Sequence, residues 1–379
     1  MSYDSGVTWV NIGETRKGDL YEYNSPACGA VTEYRWVDVT GQYTCDGTTK
    51  YQKTKRQYSE DGGQTWSDVS PAEYGKGDVI EYASSDCGYV PPTPVGCDDY
   101  LTFVAEEAGT FRFSGATGND SISYSLDGGS TWYTLARGVD SPTVASGNKI
   151  MWKGNLTPIG YYGVGQFDSS GRFQVEGNIM SLLFGDDFAD KTDLTGYYCA
   201  FEGLFNSGIN QGNRGAKVTS AEHLCLPATT LAEGCYYGMF IDCVLLTTPP
   251  SILPATTLAE TCYTYMFARC TSLTTAPSLP ATELAERCYY GMFIECSSLT
   301  VAPDLPAHTL AARCYTAMFS FCTSLNYIKC LATDISAYIC TDFFTNNVAA
   351  TGTFVKNASM NDWTTGVNGI PTNWTVQNA

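Results

Sequence analysis

Positive charge and histidine are scarce in this chain of 379 residues. Lys and Arg number 21 against 39 Asp and Glu, the formal net charge is −18, and there are two histidines. Nucleic acids and anionic lipid surfaces are bound by clustered Lys and Arg side chains, so this balance argues against both as partners. Two histidines also argue against a conventional acid–base site, and we expect neither enzymatic activity nor a cofactor.

Long apolar runs are absent as well. No run approaches the ~18 residues that a membrane-spanning helix requires, so the sequence predicts no membrane insertion. The first residues, MSYDSGVTWVNIGETRKG, lack the basic segment followed by an apolar segment that marks a secretory leader. We therefore expect that the protein is not exported by the usual route.

Three segments share the pattern Ser-x-Asp-x-Gly-x-Thr-Trp, namely Ser2–Trp9, Ser59–Trp66 and Ser125–Trp132. The pattern resembles the Asp-box. The Asp carboxylate can accept hydrogen bonds from backbone amides of a tight turn, Gly permits positive φ, and Thr and Trp begin the returning strand. Each copy therefore predicts a β-hairpin. Because Asp-boxes are familiar from sialidases and other propellers, an Asp-box glycosidase is an alternative function.

The N-terminal half of the chain has the alternation of apolar and polar residues that is typical of β-strands. Residues 18–29 (GDLYEYNSPACG) match residues 77–88 (GDVIEYASSDCG), and the most basic stretch, KYQKTKRQY, predicts the exposed face of a strand. We expect tandem Asp-box β-modules over 1–90, a Pro-rich linker over 91–97 and a β-sandwich with the third Asp-box over 98–178.

A second repeat, with a period of 26 or 27 residues, begins near residue 221. Its copies align four columns of Cys, Met, Phe and Cys. The columns are Cys235, Cys262, Cys288 and Cys314; Met239, Met266, Met292 and Met318; Phe240, Phe267, Phe293 and Phe319; and Cys243, Cys270, Cys296 and Cys322. A unit this short cannot bury its own apolar face, so the copies must stack on one another.

Apolar residues at spacings of four predict a short helix in each repeat. Leu284, Cys288, Met292 and Cys296 would lie on one stripe of that helix. An extended segment bounded by prolines follows each predicted helix. At the C-terminal end, Ile339 would take the place of the first column cysteine.

The pattern Phe-x-x-Cys-x-Ser-Leu-Thr followed by a Leu-Pro step resembles the BspA-like (Treponema-type) leucine-rich repeat over residues 195–345. The period here is longer than is usual in that family. The resemblance implies a mixed multi-domain protein with all-β N-terminal modules, an α/β leucine-rich-repeat solenoid over 179–345 and a β-type C-terminal cap over 346–379. It also implies a surface adhesin of the kind found in gut Bacteroidales and their phages.

The sixteen cysteines allow three interpretations. Cys288 and Cys296 would lie about 12 Å apart along a helix, beyond the ~7 Å limit between the Cα atoms of a disulfide. The chain has no Cys-x-x-Cys pair to favour zinc. We favour buried free thiols over disulfides and metal ligands in the repeats, and the state of the N-terminal cysteines stays open. Those four are Cys28, Cys45, Cys87 and Cys97.

Positions that vary between copies are candidates for a ligand-binding surface. They are Asp242, Arg269, Arg287, Glu295, Arg313 and Phe321. The alternative is a solvated face without a ligand. Tyrosines that recur beside the first column cysteine, such as Tyr236 and Tyr263, would pack in the core or bind sugar faces.

We therefore expect a non-enzymatic adhesin or receptor-binding structural protein. The favoured setting is a phage virion, as a tail fibre or capsid appendage, because a virion protein needs no export signal. A bacterial cell-surface BspA-like adhesin is the alternative. Expected partners are a bacterial surface glycan or protein and other virion proteins, with a homotrimer as a possible assembly.

Overall fold

The computed structural model describes residues 33–46, 49–59, 65–69, 74–81, 97–114, 121–159, 163–208 and 215–379. The chain divides into two compact units, Met1–Pro91 and Pro92–Ala379. The first Asp-box copy, residues 18–29 and most of the predicted linker lie outside the described residues. No helix in the described part of the chain is long and apolar enough to cross a membrane.

The first unit contains an antiparallel sheet in which β2 is central. Its strands are β1 (Glu33–Asp46), β2 (Thr49–Ser59), β3 (Ser67–Asp68) and β4 (Tyr74–Glu81). The basic stretch predicted to form a strand does so as β2, but its described side chains are half-buried, or buried in the case of Thr54, rather than exposed. Lys53 lies 4.0 Å from the centre of the Tyr74 ring, and Arg56 lies 4.2 Å from that of Tyr34. Cation–π contacts thus hold these side chains on the sheet.

The second unit begins with a six-stranded sheet in the order β12-β11-β5-β9-β7-β8 and a two-stranded sheet of β10 and β6. The strands are β5 (Leu101–Ala105), β6 (Phe111–Ser114), β7 (Ser121–Ser125), β8 (Tyr133–Ala136), β9 (Lys149–Lys153), β10 (Gln166–Ser169), β11 (Phe173–Asn178) and β12 (Val218–Cys225). Phe103 packs at their centre, with ring centroids of Phe167 and Phe173 at 4.8 and 4.7 Å. β12 pairs in parallel with β11 and leads into the repeats.

The third segment that resembles an Asp-box, Ser125–Trp132, forms the hairpin between β7 and β8, as predicted. The Asp127 carboxylate accepts hydrogen bonds from the Thr131 backbone N–H and the Ser125 hydroxyl, both at 2.8 Å. Gly128 and Gly129 have φ of 71° and 85°, conformations that glycine adopts at little cost. The hydrogen bonds, that from Thr131 above all, lower the pKa of Asp127.

The predicted α/β leucine-rich-repeat solenoid is wrong. The described residues are nearly all β, with several separate sheets and one α-helix, α1 (Ser181–Phe184), which lies before the repeats and is followed by a 3-10 turn, Gly185–Asp187. The repeats themselves consist of turns. A three-stranded parallel sheet ends the chain, with β13 (Tyr327–Cys330), β14 (Thr353–Lys356) and β15 (Thr375–Asn378).

Backbone hydrogen bonding explains why the spacing of four does not produce helices. The Tyr237 N–H donates to the carbonyl of Gly234, three residues back, at 2.9 Å, whereas the next N–H, that of Gly238, donates to Thr264 in the following repeat at 2.8 Å. Every fourth residue has positive φ, as at Gly234 (63°), Gly238 (55°) and Asp242 (63°). An α-helix would need negative φ throughout and bonds to the fourth preceding residue. We call residues 199–208 and 215–347 the turn stack.

The aligned columns form the interior of the turn stack. All sixteen Cys, Met and Phe side chains named above are buried, with exposed fractions of 0–1%. Phe205, Phe240, Phe267, Phe293 and Phe319 stack in sequence with ring centroids 5.2–5.8 Å apart. Tyr236, Tyr263, Tyr289 and Tyr315 form a second buried ladder. These tyrosines therefore pack in the core and do not bind sugars.

The alignment of the last repeat shifts by one residue from the prediction. Ile339 is 39% exposed and has positive φ, whereas Cys340 is buried at 2%. The Tyr315 N–H donates to the Cys340 carbonyl, as the Tyr289 N–H does to that of Cys314. Cys340 therefore continues the first cysteine column, and Ile339 does not replace it.

The cysteines of the two aligned columns, together with Cys199, Cys330 and Cys340, are free and buried, which confirms the prediction of buried thiols in the repeats. Each thiol of the second cysteine column donates a hydrogen bond to a Phe carbonyl in the preceding copy, at 3.0–3.1 Å. Cys97, left open by the sequence, forms a disulfide with Cys225 at the end of β12. Cys28 and Cys87 lie outside the described residues.

We predict that alkylating reagents do not reach the repeat thiols in the native protein. Burial raises the pKa of Cys235, Cys243 and Cys322 to about 12, and the thiolate is the reactive form. Peptide mapping by mass spectrometry after iodoacetamide treatment at pH 8 should show labelling of these residues at least about a hundred-fold slower than in guanidinium chloride. Equal rates in the two conditions would contradict the buried ladder.

Candidate functional site

The six candidate residues all occupy positive-φ positions of the turn stack. Their φ values are 63° for Asp242, 61° for Arg269, 54° for Arg287, 62° for Glu295, 55° for Arg313 and 62° for Phe321. Glu295 and Phe321 are exposed and the other four are half-buried, whereas the neighbouring column residues are buried. We call the positive-φ residues of the stack and the residue before each of them the outer face.

The outer face has three lines of positive-φ residues along the stack. One contains Gly234, Thr261, Arg287, Arg313 and Ile339; the middle one contains Gly238, Tyr265, Gly291, Ala317 and Phe343; the third contains Asp242, Arg269, Glu295, Phe321 and Asn347. The candidates therefore lie in the two outer lines rather than in one pocket.

Asp242 and Arg269, from consecutive repeats, form a bidentate ion pair. The Arg269 Nε and Nη2 atoms donate to the two Asp242 carboxylate oxygens, the second at 2.8 Å. This hydrogen bonding to Asp242 raises the pKa of Arg269, and the Glu295 carboxylate adds to the effect. The two-point geometry fixes the guanidinium plane on the surface.

A second cluster joins Arg287 and Arg313 through a residue that the sequence did not single out. The Glu286 Oε1 atom lies 3.6 Å from Nη2 of Arg287 and 3.2 Å from Nη1 of Arg313. The Arg313 guanidinium also lies 5.0 Å from the centre of the Tyr338 ring. Two guanidinium groups thus share one carboxylate.

Three half-buried tyrosines run along the middle of the outer face. The Tyr237 and Tyr265 ring centroids are 5.9 Å apart at 83°, and those of Tyr265 and Tyr290 are 5.3 Å apart at 85°. Tyr265 also hydrogen-bonds to Tyr290, and burial followed by this bond raises the pKa of Tyr265. The Tyr265 ring lies across Gly291, where a Cβ atom would be 2.4 Å from Cε1 of the ring. We call these three residues the tyrosine stripe.

The C-terminal end of the outer face is apolar and open to solvent. Exposed fractions are 44% for Phe321, 66% for Tyr338, 39% for Ile339 and 50% for Phe343. Only Phe321 was a candidate, because the register of the last repeat was wrong in the sequence alignment. Correct alignment on Cys340 would have placed Ile339 in the same line as Arg287 and Arg313, whereas Phe343 lies in the middle line, which held no candidate.

A titratable group lies at the N-terminal end of the stack. Burial raises the pKa of Glu202 to about 7, and the Cys199 thiol hydrogen-bonds to this carboxylate. Burial, followed by the charge of Glu202, raises the pKa of Cys199 to about 12. Sequence reasoning missed Glu202 because burial depends on the fold. In the part of the chain that the structure describes, no group of three or more His, Cys, Asp and Glu is placed to hold a metal ion.

Alanine at Gly291 should destabilise the protein more than alanine at Gly238. The two glycines have φ of 56° and 55°, but a Cβ at Gly238 would meet nothing closer than 3.6 Å. We expect Gly238→Ala to cost about 1 kcal/mol for the left-handed backbone alone and Gly291→Ala about 2–3 kcal/mol because the Tyr265 ring must move. Urea unfolding measures both. Adding Tyr265→Ala to Gly291→Ala should remove the excess; equal costs in the single variants would contradict the packing.

The raised pKa of Glu202 predicts lower stability at higher pH. The folded carboxyl holds its proton up to about pH 7, whereas the unfolded one releases it near 4.5. The protonated Glu202 side chain therefore contributes fully to the free energy of unfolding below pH 4.5, and this contribution is lost as the pH rises through about 7. Because the side chain is partly exposed, we expect a loss of about 1–2 kcal/mol. Urea unfolding at pH 5 and pH 8 should show this loss in the wild type and in Glu295→Gln but not in Glu202→Gln. Parallel profiles for all three proteins would contradict it.

Comparison of the chain with protein-family models, with curated proteins and with solved structures finds no match. The function must therefore be argued from the residues of this chain and their geometry.

Proposed function

We propose that this protein is a non-enzymatic binding protein that recognises a ligand on a bacterial surface through the outer face of its turn stack. The observation that supports the proposal most is the kind of residue at the positive-φ positions. Arg269, Arg287, Arg313, Glu295 and Phe321 all have φ of 54–62°. Left-handed backbone costs a non-glycine residue about 1–2 kcal/mol.

At positive-φ positions these residues lower the stability of the fold, so a protein that served only as a scaffold would gain nothing from them. Gly234 occupies the position of Arg287 and Arg313 in another repeat, so the backbone accepts glycine in that line. Large charged and aromatic side chains lower stability at such positions, and strained residues of this kind cluster at binding sites. The interior columns, in contrast, hardly vary. A constant interior with a varied, strained exterior supports recognition as the role of the outer face.

The expected settings are a phage tail fibre or capsid appendage and, as the alternative, a bacterial cell-surface adhesin. Both would bring the outer face against a bacterial surface. The Cys97–Cys225 disulfide is compatible with either, because disulfides persist outside the reducing cytosol.

Removing three outer-face side chains should abolish binding to bacterial cells. The variant is Arg287→Ala/Arg313→Ala/Phe321→Ala in the full chain. Ala317 has φ of 55°, so the stack accepts alanine at such a position. We expect binding of the fluorescently labelled protein to intact gut-type anaerobes to fall at least about tenfold.

The matched control is Arg137→Ala/Arg172→Ala/Tyr133→Ala. It removes the same number of Arg and aromatic side chains from exposed positions outside the turn stack. It should bind like the wild type, and circular dichroism should show both variants folded. Undiminished binding by the outer-face variant, or no binding by the wild type, would overturn the proposal.

A further inference from the structure

We propose that the ligand is a neutral carbohydrate chain that lies along the tyrosine stripe, Tyr237, Tyr265 and Tyr290. This inference rests on the proposed function, because it assigns a chemical class to the ligand of the same face. The packing of the three rings, the glycines beside them and the charges on either side support it.

The tyrosine stripe packs differently from the buried tyrosine ladder, although Tyr236 of the ladder and Tyr237 of the stripe are adjacent in the sequence. In the ladder, Tyr236 and Tyr263 stack with an interplanar angle of 7° and exposed fractions of 1%. In the stripe, the rings meet edge to face at 83° and 85° and remain half-buried. Core packing therefore does not consume the whole ring surface. A half-buried phenol offers an apolar ring and a polar hydroxyl together, the combination that sugar rings require.

Glycines on either side of Tyr265 leave the middle line of the outer face without other large side chains at these positions. Gly238 precedes the Tyr265 position and Gly291 follows it, and the Tyr265 ring lies over Gly291. Ala317 continues this line with a small side chain. The ring centroids follow one another along the stack at 5.9 and 5.3 Å, so the three rings form a row. An extended chain fits this shape better than a single small molecule.

Charges beside the stripe favour a neutral ligand over an acidic one. The outer face carries more charged carboxylates than guanidinium groups, namely Glu233, Asp242, Glu260, Glu286, Glu295 and Asp342 against Arg269, Arg287 and Arg313. The whole chain has a net charge of −18. Acidic polysaccharides would be repelled. Carboxylates such as Glu295 can instead accept hydrogen bonds from sugar hydroxyls, and the fixed Arg269 can donate them.

The first test is binding of the full-length protein to immobilised oligosaccharides. The panel would contain neutral hexasaccharides of glucose, mannose and N-acetylglucosamine, and acidic hexasaccharides of hyaluronan and alginate. We expect at least one neutral member to bind and the acidic members not to bind. Tyr265→Ala should weaken that binding about tenfold, whereas Tyr265→Phe, which keeps the ring, should lose less than about threefold. Tyr133→Ala, at an exposed position on β8, is the control.

Treated cells then separate this inference from the proposed function. Periodate, which cleaves sugar diols, should abolish binding to the cells, and protease treatment should leave it intact. If only protease abolishes binding, or only acidic sugars bind, the carbohydrate inference is wrong while surface recognition stands. If Tyr265→Ala binds the neutral sugar like the wild type, the ligand does not lie on the stripe. If the outer-face triple variant still binds cells, the proposed function itself fails.

Discussion

Hydrogen bonding of alternate backbone amides is the constraint on which the repeat region depends. The Gly234 N–H donates to the Glu260 carbonyl of the next repeat at 3.0 Å, and the Cys235 N–H donates back within its own turn. This alternation satisfies the backbone of each repeat only when a neighbour is present. It also produces a pattern that repeats every four residues, which we call the frame: two consecutive side chains point into the interior and the next two point outward. Burial and exposure follow from that frame.

The interior of the frame explains the cysteines. A side chain in the second cysteine column is small and apolar and bonds to a nearby carbonyl, as the Cys270 thiol does by donating to the Phe240 carbonyl at 3.1 Å. Cysteine behaves there as a small hydrophobic residue with a weak donor. Cys97 and Cys225, in contrast, form a disulfide. That disulfide ties the start of the second unit to the end of β12, where the turn stack continues the sheet.

The outward-facing residues of the frame are those proposed to bind the ligand. Residues that face outward have positive φ at every fourth position, so each large side chain there has a backbone cost. Ion pairs such as Asp242 with Arg269 offset part of that cost, although exposed pairs contribute little to stability. The tyrosine stripe lies between the charged lines, which gives the face an aromatic centre and a polar border. Such an arrangement is typical of recognition surfaces.

The period, the columns, their burial and the hairpin at Asp127 could be predicted from the sequence, because these features depend on residue type and local turn chemistry. The sequence also identified six outer-face residues from their variation between copies. It could not decide between helix and turn, since a spacing of four fits both, and the choice depends on bonds between repeats that only the folded chain forms. The same holds for the Cys97–Cys225 disulfide, whose partners are 128 residues apart. Glu202, Glu286 and Tyr338 became part of the face only through tertiary structure, because their burial and partners come from neighbouring repeats.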